Sequence, residues 1–253
     1  VLEYGIDHIG EMDKELGMAI PDTAIFTALD KVHSMQMGGP DEILAEKMKL
    51  LLAAKDLVLY PVDGEYLSSY LAMIEVDALS FTIQETMTKD ADIGYEDYTL
   101  VRDAQNMVRA NFTIDQWREE VFEISTNLLG REQAGYISLG AELAMIVARR
   151  FGKISVLEKS RVLDIDMELQ AGRFTLFSGI ADSVLVDSTY NAAPASVRTM
   201  INNVIALRNQ LFDTHDLIYC LGEMRELGDF ASTEHHKLAA QVSQSADRVY
   251  LIG

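Results

Sequence analysis

Two side chains near the start of the sequence could bind a metal ion. Glu3 lies in an apolar run at 1–4, and His33 lies in a loop after the apolar run 23–29. A carboxylate beside apolar residues is costly to bury unless it is paired or bound to a metal, and its oxygen atoms suit Mg²⁺ better than imidazole does. A solvent-facing Glu3 and an ordinary loop histidine are the simpler interpretations, so neither residue identifies a site by itself.

Lys47 is a third candidate, because it interrupts the apolar face of a predicted helix. It lies between Leu44 and Leu51, where a charged side chain is unexpected. A long side chain whose amine reaches solvent would explain this position. The alternative is a functional lysine whose amine is tuned by burial.

The densest group of polar side chains lies between positions 186 and 196. Asp187 follows an apolar strand, Asn191 lies in the turn and Pro194 opens a helix. Open α/β sheets bind ligands at such an edge, where a strand ends and a helix begins. The pattern also describes an ordinary strand–turn–helix junction, and the residues alone leave both interpretations open.

The sequence contains no phosphate-binding loop of the form G-x-x-x-x-G-K-[S/T]. Gly152-Lys153 is its only Gly-Lys pair, and Ile154 follows in place of Ser or Thr. In that motif the backbone of the loop cradles the phosphates and the lysine reaches them. If the protein uses ATP, we expect its phosphate loop to lie outside this sequence.

The elements that must position these side chains alternate between strands and helices. Apolar runs at 1–4, 23–29 and 56–60 predict strands, and the three-to-four spacing of apolar residues predicts a helix at 40–54. Strand–helix–strand units of this length favour a parallel sheet with right-handed crossovers. Longer alternating strands then predict an antiparallel appendage. Its strands are expected at 80–86, 98–103, 107–112 and 121–126.

A second α/β unit begins near residue 172, after a long helix that ends at Phe151-Gly152. The predicted fold class is α/β, with a mostly parallel central sheet flanked by helices, the antiparallel appendage, and part of a second Rossmann-like domain. The predicted domains are 1–171 and 172–253. In the second domain, strands are expected at 173–179, 183–187, 216–221 and 248–252, and helices at 194–209 and 232–244.

The composition excludes several classes of protein. Forty acidic and 21 basic side chains among 253 residues give a net charge of −19, which excludes binding of nucleic acid through a broad basic surface. A hydrophobic fraction of 49% is too high for a disordered acidic chain. No uncharged apolar run approaches the roughly 18 residues that a membrane span needs. A single cysteine, Cys220, cannot form an internal disulfide and favours a reducing compartment. The apolar ends of the chain suggest a fragment cut at both ends.

Taken in order, these segments resemble the Mur ligases, which are ATP-dependent amide-bond-forming enzymes of peptidoglycan synthesis. Within that family they are most similar to the MurF type. The interval from His33 to Lys47, 47 − 33 = 14 residues, is the one at which the family places its lysine. The other matching segments are Glu3-Tyr4-Gly5 with Gly10-Glu11, Thr27 to His33, Asp187 to Ser196, and Leu221 to Gly228 with the later His235.

The resemblance implies a catalytic metal site. Glu3 and His33 would hold a Mg²⁺ ion that bridges ATP and the acyl-phosphate intermediate. Lys47 would be the lysine that is carbamylated in several members, and it would join them as a metal or phosphate-positioning group. Carbamylation turns a cation into a carboxylate-like group, which would explain a lysine among apolar neighbours.

The resemblance also implies a nucleotide site. Arg173 matches the arginine at the domain junction that reaches the ATP phosphates, for which its planar fork of donors is suited. Asp187 would contact the ribose, and Asn191 would line the same cleft. Residues 1–171 would form the central domain without its phosphate loop, and residues 172–253 would form the first part of the C-terminal domain.

The activity implied by the resemblance is a two-step ligation. ATP would phosphorylate a carboxylate of a UDP-N-acetylmuramoyl tripeptide, and the amine of D-alanyl-D-alanine would then attack the acyl phosphate. We expect a cytoplasmic, monomeric enzyme with small-molecule substrates, no nucleic-acid partner and no membrane span. The 253-residue chain by itself is expected to have no ligase activity.

The sequence departs from the family pattern mainly where adenine would bind. Ala28 stands where an Asn is usual. Tyr60 and the three residues after it replace an Asn-x-Asp-Asp-like segment that would contact adenine. Ala193 replaces the second Asn of its motif. Glu132 and its neighbour stand where many members have His-Asn. Two alternatives therefore remain: a related amide ligase of the folylpolyglutamate or cyanophycin type, and a non-catalytic nucleotide-binding homologue.

Overall fold

The structure is a computed structural model that describes residues 1–29, 39–62, 65–84, 91–116, 120–152, 162–225 and 227–252. The chain divides into two compact units. Unit 1 comprises Val1–Val58, Ser69–Asp77 and Gln170–Gly253, and unit 2 comprises Leu59–Ser68 and Ala78–Leu169. None of the helices in the described ranges has both the length and the apolar character that a membrane span requires.

Two helices and a strand build the first part of unit 1. They are α1 (Glu11–Met18), β1 (Thr23–Ile25) and α2 (Pro40–Leu52). Helix α2 confirms the helix predicted at 40–54, and Asp41 and Glu42 in its first turn complement the positive end of the helix dipole. Helix α1 is missing from the sequence prediction, because Met12 is its only buried residue and the apolar pattern is correspondingly weak.

The segment 1–4 is not a strand, which corrects the prediction made for it. Leu2 stays 69% exposed, and Tyr4 turns inward to donate its hydroxyl to the carbonyl of Ala19 at 2.9 Å. An apolar run forms a strand only where a neighbour satisfies its backbone hydrogen bonds. None of the described strands pairs with this segment.

A three-stranded sheet follows the order β1-β2-β3, where β2 is Leu57–Pro61 and β3 is Asp77–Phe81. Val58 and Leu59 are fully buried, as expected for a strand covered on both faces. The strand predicted at 23–29 is confirmed with shorter bounds, and the one predicted at 56–60 is confirmed with bounds one residue later. The strand predicted at 80–86 as part of the appendage belongs to this sheet instead and begins earlier, and its last two positions, 85 and 86, lie outside the described residues. A single turn of helix, α3 (Ser68–Leu71), precedes it.

Unit 2 contains a four-stranded sheet in the order β4-β5-β6-β7. Its strands are β4 (Glu96–Arg102), β5 (Val108–Gln116), β6 (Glu120–Thr126) and β7 (Val162–Ile165). The first three pair antiparallel, which confirms the predicted appendage for its strands at 98–103, 107–112 and 121–126, and β7 joins β6 in parallel. Strand β7 is missing from the prediction, because a four-residue strand that contains Asp164 carries little pattern.

Helix α4 (Arg131–Arg150) confirms the long predicted helix. Near its start, Gly135 lies against the backbone that follows β3. A Cβ atom at this position would come within 2.6 Å of the Cα atom of Ile83, so only glycine allows the helix to approach so closely.

The second part of unit 1 has two pairs of strands and two helices. They are β8 (Thr175–Ser178), β9 (Val184–Asp187), α5 (Pro194–Leu211), β10 (Ile218–Leu221), α6 (Ala231–Val242) and β11 (Arg248–Leu251). Strands β8 and β9 form an antiparallel hairpin, whereas β10 and β11 are parallel and are connected through α6. The β10–α6–β11 unit confirms the α/β character predicted for this region.

Candidate functional site

Lys47 places its amine beyond the carboxyl end of β1. Its Nζ atom donates to the carbonyl of Ala28 at 3.5 Å and lies 6.0 Å from the centre of the Phe26 ring. Both partners lie within three residues of the end of β1, and the lysine side chain is half-buried. Because the contact to Ala28 uses the backbone, the replacement of the usual Asn at that position does not remove it.

A small apolar cluster packs the segment that contains Glu3 against the helix that carries Lys47. Tyr4 follows Glu3 directly, and Ile43 lies one helical turn before Lys47. The cluster therefore holds the backbone of Glu3 beside α2, although the carboxylate itself is exposed. Its members are Ile6, Met12 and Ile43, with Tyr4, Leu16, Leu29 and Leu50 packed against them.

Glu46 is the main charged residue that the sequence prediction missed. Its side chain is almost fully buried: Oε1 accepts hydrogen bonds from the backbone N–H groups of Gly10 at 2.8 Å and Met12 at 3.1 Å. Its Oε2 atom pairs with Lys49 at 2.8 Å, and Lys49 also pairs with Asp13 at 2.6 Å. These contacts anchor the start of α1 to α2, because donors at a helix N-terminus favour a negative charge.

The buried face of α2 differs from the predicted one. Besides the expected apolar residues it includes Glu46, which is 2% exposed, whereas Leu52 at the end of the helix is 41% exposed. Lys47 lies at the border of the buried face and not at its centre. An available signal was the spacing of Glu46 and Lys49, which is the i,i+3 spacing of a helical ion pair.

Two groups at this corner have shifted pKa values. The backbone N–H groups of Asp7 and His8 donate to Oε2 of Glu11 at 2.7 and 2.9 Å, and they lower the pKa of that carboxyl. The hydrogen bond to Asp13, followed by the one to Glu46, raises the pKa of Lys49. The Gly10-Glu11 pair of the family motif therefore has a structural task in this chain, since the carboxylate turns back onto its own loop.

The base of the β8–β9 hairpin brings together Arg173, Asp187 and Asn191. In the register of the hairpin, Asp187 lies opposite Thr175, two residues after Arg173. The guanidinium carbon of Arg173 lies 4.2 Å from the centre of the Tyr190 ring, and Tyr190 precedes Asn191. The three residues predicted for the nucleotide site therefore share one end of one hairpin.

Hydrogen bonds within the loop shape this end of the hairpin. Oδ1 of Asp187 accepts from the backbone N–H of Thr189 at 3.1 Å and from its hydroxyl at 2.8 Å. The N–H of Tyr190 donates to the carbonyl of Gly172 at 3.1 Å. Gly172 has a φ of +78°, and a Cβ atom there would lie 2.7 Å from the Tyr190 nitrogen, so the junction requires glycine.

The segment after β10 is anchored to α6 by His235. Met224 donates its backbone N–H to Nε2 of His235 at 3.2 Å, and Nδ1 of His235 lies 2.8 Å from the carbonyl of Ala231. An Nε2 atom that accepts places the ring proton on Nδ1, which can then donate to Ala231. The structure thus joins the two parts of this motif, and the side chains of Met224 and Leu227 fill the core below it.

The described donors fit a Mg²⁺ site only in part. Among the described residues, no three His, Cys, Asp or Glu side chains lie close enough to hold a metal ion. Glu3 offers the hard oxygen atoms that suit Mg²⁺, whereas the ammonium of Lys47 has no lone pair to give. His33 lies outside the described residues, so the convergence of Glu3, His33 and Lys47 stays a prediction.

Unit 2 contains an apolar cavity of about 510 Å³ between α4 and the strands β5 to β7. Its lining includes Phe122, Ile124, Ile137 and Met145. Phosphate groups are held by N–H donors, cations or metal ions. This cavity therefore has the wrong chemistry for the nucleotide site that the sequence predicts.

Comparison with known proteins finds relatives that are named as ligases. It is 27% identical over 255 aligned positions to the UDP-N-acetylmuramoyl-tripeptide–D-alanyl-D-alanine ligase of Bacillus subtilis, with 100% of the chain and 50% of that protein covered. Its fold is similar to that of the Thermotoga maritima MurF ligase in complex with ADP (TM-score 0.75, 19% identity, 100% and 53% covered). It is also similar to the apo form of L. casei FPGS (TM-score 0.61, 15% identity, 99% and 54% covered).

These likenesses have a common limit. The chain spans about half the length of the curated relatives that it matches. At 19% and 15% identity, the two structures establish a shared fold and no more.

Two family models match the chain over most of its length. The Mur ligase middle domain matches residues 1–137, and the Mur ligase glutamate ligase domain matches residues 172–253. The first match alone covers 137 of the 253 residues, which is more than half. This chain therefore belongs to the Mur ligase family.

Proposed function

We propose that this chain is part of a MurF-type ligase, which joins D-alanyl-D-alanine to a UDP-N-acetylmuramoyl tripeptide with the consumption of ATP. The observation that carries the proposal is the base of the β8–β9 hairpin, where Arg173, Asp187 and Asn191 lie at the same end of the hairpin and at positions that match the family motif. The name of the Bacillus subtilis relative supports the choice of substrates.

The proposed reaction forms one amide bond in two steps. A carboxylate oxygen of the tripeptide attacks the terminal phosphorus of ATP, and ADP leaves. The amine of the dipeptide then attacks the acyl carbon, inorganic phosphate leaves, and the amine gives up its proton. Such chemistry depends mainly on holding the reactants in line and on neutralising the charge of the phosphates.

Arg173, Asp187 and Asn191 have separate tasks in this proposal. The guanidinium of Arg173 binds phosphate oxygens, Asp187 contacts the ribose and Asn191 lines the cleft. Arg173 supplies a local positive charge, which matters in a chain of net charge −19. Because salt screens charges beyond about 8–10 Å, this local charge outweighs the distant acidic surface.

Glu3, His33 and Lys47 form the proposed catalytic group. Lys47 would act after carbamylation, when its end becomes an acceptor, and its position beyond β1 supports a role at a ligand edge. Mg²⁺, when bound, would supply positive charge for the phosphate oxygens. Glu3 would contribute a carboxylate oxygen from the segment that packs against α2.

The domain division is also part of the proposal. We propose a central domain over 1–171 and a C-terminal region over 172–253, which the limits of the two family models support. The compact units of the structure group residues 1–58 with residues 170–253. We further propose that the protein is monomeric and cytoplasmic, and that it binds small molecules only.

The experiment measures ADP release by the full-length gene product. Release should require both the UDP-muramyl tripeptide and D-alanyl-D-alanine, and Lys47→Ala should lower its rate by at least about a hundredfold, as expected for a group that positions the reactants. Lys55→Ala, at an exposed lysine outside the site, is the matched control and should leave the rate unchanged. Added bicarbonate should raise the rate of the parent protein if the lysine must be carbamylated.

Other outcomes would assign another function. ADP release with a folate and glutamate in place of the muramyl substrates would identify a folylpolyglutamate-type ligase, whose fold this chain shares. Binding of ATP with no ADP release in either case would identify a non-catalytic homologue.

A further inference from the structure

The contact between Arg173 and Tyr190 holds a cation without neutralising it. With the guanidinium carbon 4.2 Å from the ring centre, the cation is attracted by the negative face of the aromatic ring. This attraction uses no hydrogen-bond acceptor. The N–H donors of the guanidinium therefore stay available for an anion.

Other arginines in the chain are held differently. Arg109 pairs with Asp166 at 2.9 Å, and Arg198 pairs with the buried Glu234 at 2.9 Å. Among the described ion pairs, none involves Arg173. A phosphate that binds Arg109 or Arg198 would have to displace a carboxylate, whereas a phosphate that binds Arg173 would displace none of the described carboxylates.

The backbone supports the same arrangement. The N–H of Tyr190 donates to the carbonyl of Gly172, the residue directly before Arg173, and no side chain fits at Gly172. Tyr190 therefore restrains Arg173 twice, through the backbone at its neighbour and through the ring at its guanidinium. An arginine that is already restrained loses less rotamer freedom when it binds a ligand.

We propose that Tyr190 is a positioning residue, whose ring holds Arg173 ready for the phosphate groups of the nucleotide. This inference rests on the proposed function, because it takes the ligand of Arg173 to be a nucleoside polyphosphate. Tyr190 acts through Arg173 and does not itself contact the phosphates.

The test compares ADP affinity, measured by calorimetry on the full-length gene product, among three forms of the protein. Tyr190→Leu should weaken ADP binding by about two- to fivefold, the size expected for an exposed cation–π contact. Tyr190→Phe keeps the ring and should stay within about twofold of the parent protein. Tyr250→Leu is the matched control, because it truncates an exposed tyrosine on β11 and should leave ADP affinity unchanged.

A double-mutant cycle separates positioning from a general structural effect. Arg173→Ala should weaken ADP binding, and adding Tyr190→Leu to it should cause no further loss. Adenosine, which lacks phosphates, should bind the parent protein and Tyr190→Leu equally. Equal losses for adenosine and ADP would mean that the ring contacts the base, and additive losses in the cycle would mean that it acts independently of Arg173. Either result overturns the proposal.

The same data distinguish failure of this inference from failure of the proposed function. If the parent protein does not bind ADP, or if Arg173→Ala has no effect, the nucleotide role of Arg173 is wrong and the inference is wrong with it. If Arg173→Ala weakens binding and Tyr190→Leu does not, only the positioning role is wrong. Tyr190 is 66% exposed, so thermal unfolding of Tyr190→Leu should match that of the parent protein and confirm that the variant folds.

Discussion

The corner around Glu46 and the hairpin base around Arg173 hold their charged groups in opposite ways. Glu46 is 2% exposed, and its oxygens accept from two backbone N–H groups and from Lys49. Arg173 is exposed, and its described side-chain contact is an aromatic ring. A buried carboxylate that is saturated by donors stabilises the fold, whereas an exposed cation with no carboxylate keeps its charge for a ligand. The comparison therefore distinguishes charged groups that stabilise the fold from a charged group that is available to bind a ligand.

The largest expected effect comes from removing the buried carboxylate. Glu46→Ala leaves the N–H groups of Gly10 and Met12 without their acceptor, and it should lower the free energy of unfolding by about 2–4 kcal/mol. Urea unfolding followed by circular dichroism measures this loss. Glu42→Ala, at an exposed carboxylate in the first turn of the same helix, should cost less than about 1 kcal/mol. A loss for Glu46→Ala no greater than that of Glu42→Ala would show that the corner is not anchored by this charge.

The second-largest effect is expected from adding a side chain at Gly172, in the base of the β8–β9 hairpin. Gly172→Ala forces a side chain into the left-handed region and against the Tyr190 nitrogen, and it should cost about 1–3 kcal/mol of stability. It should also weaken ADP binding, because it displaces the residue next to Arg173. Gly140→Ala is the control: a Cβ atom there has open space within α4, so the helix should gain up to about 1 kcal/mol. Unchanged stability and unchanged ADP affinity in Gly172→Ala would contradict the close contact.

The smallest expected effect is a pH dependence of stability that comes from Glu11, near the corner around Glu46. The folded state holds the pKa of Glu11 below its ordinary value, so its contribution is fully present above the unfolded pKa of about 4.3 and is lost as the pH falls through the folded value. Glu11→Gln should therefore unfold at a lower temperature than the parent protein at pH 7. The gap should close as the pH falls below about 4. Glu75→Gln, at an exposed carboxylate, is the matched control, and a constant gap for Glu11→Gln over this pH range would rule out the charge as its cause.

Elements with a strong apolar period could be predicted from the sequence, and short or irregular ones could not. Helices α2 and α4 and strand β2 each bury a regular set of side chains, so the pattern is visible without the structure. Helix α1 buries only Met12, and β7 has four residues, so neither carries such a pattern. Segment 1–4 is apolar but has no partner strand, and pairing is a property of the fold that no local pattern contains.

The residues of the candidate site also divide into those that the sequence indicates and those that only the fold reveals. Lys47, Arg173, Asp187 and Asn191 could be named because they match family motifs at fixed spacings. Glu46 could not, because a glutamate on a helix is ordinarily exposed, and only the placement of α1 gives this one its donors. The ring contact between Tyr190 and Arg173 depends on the β8–β9 hairpin, which brings together residues that are far apart in the sequence.

The hydrogen bonds that Glu46 accepts also slow the exchange of two amide protons with solvent. The amide protons of Gly10 and Met12 are shielded while the carboxylate holds them, so they exchange with solvent water when α1 separates from α2. Their exchange rates, followed by nuclear magnetic resonance over minutes to hours, would measure how often this contact opens. The exchange would therefore report how often α1 separates from α2, the helix that carries Lys47.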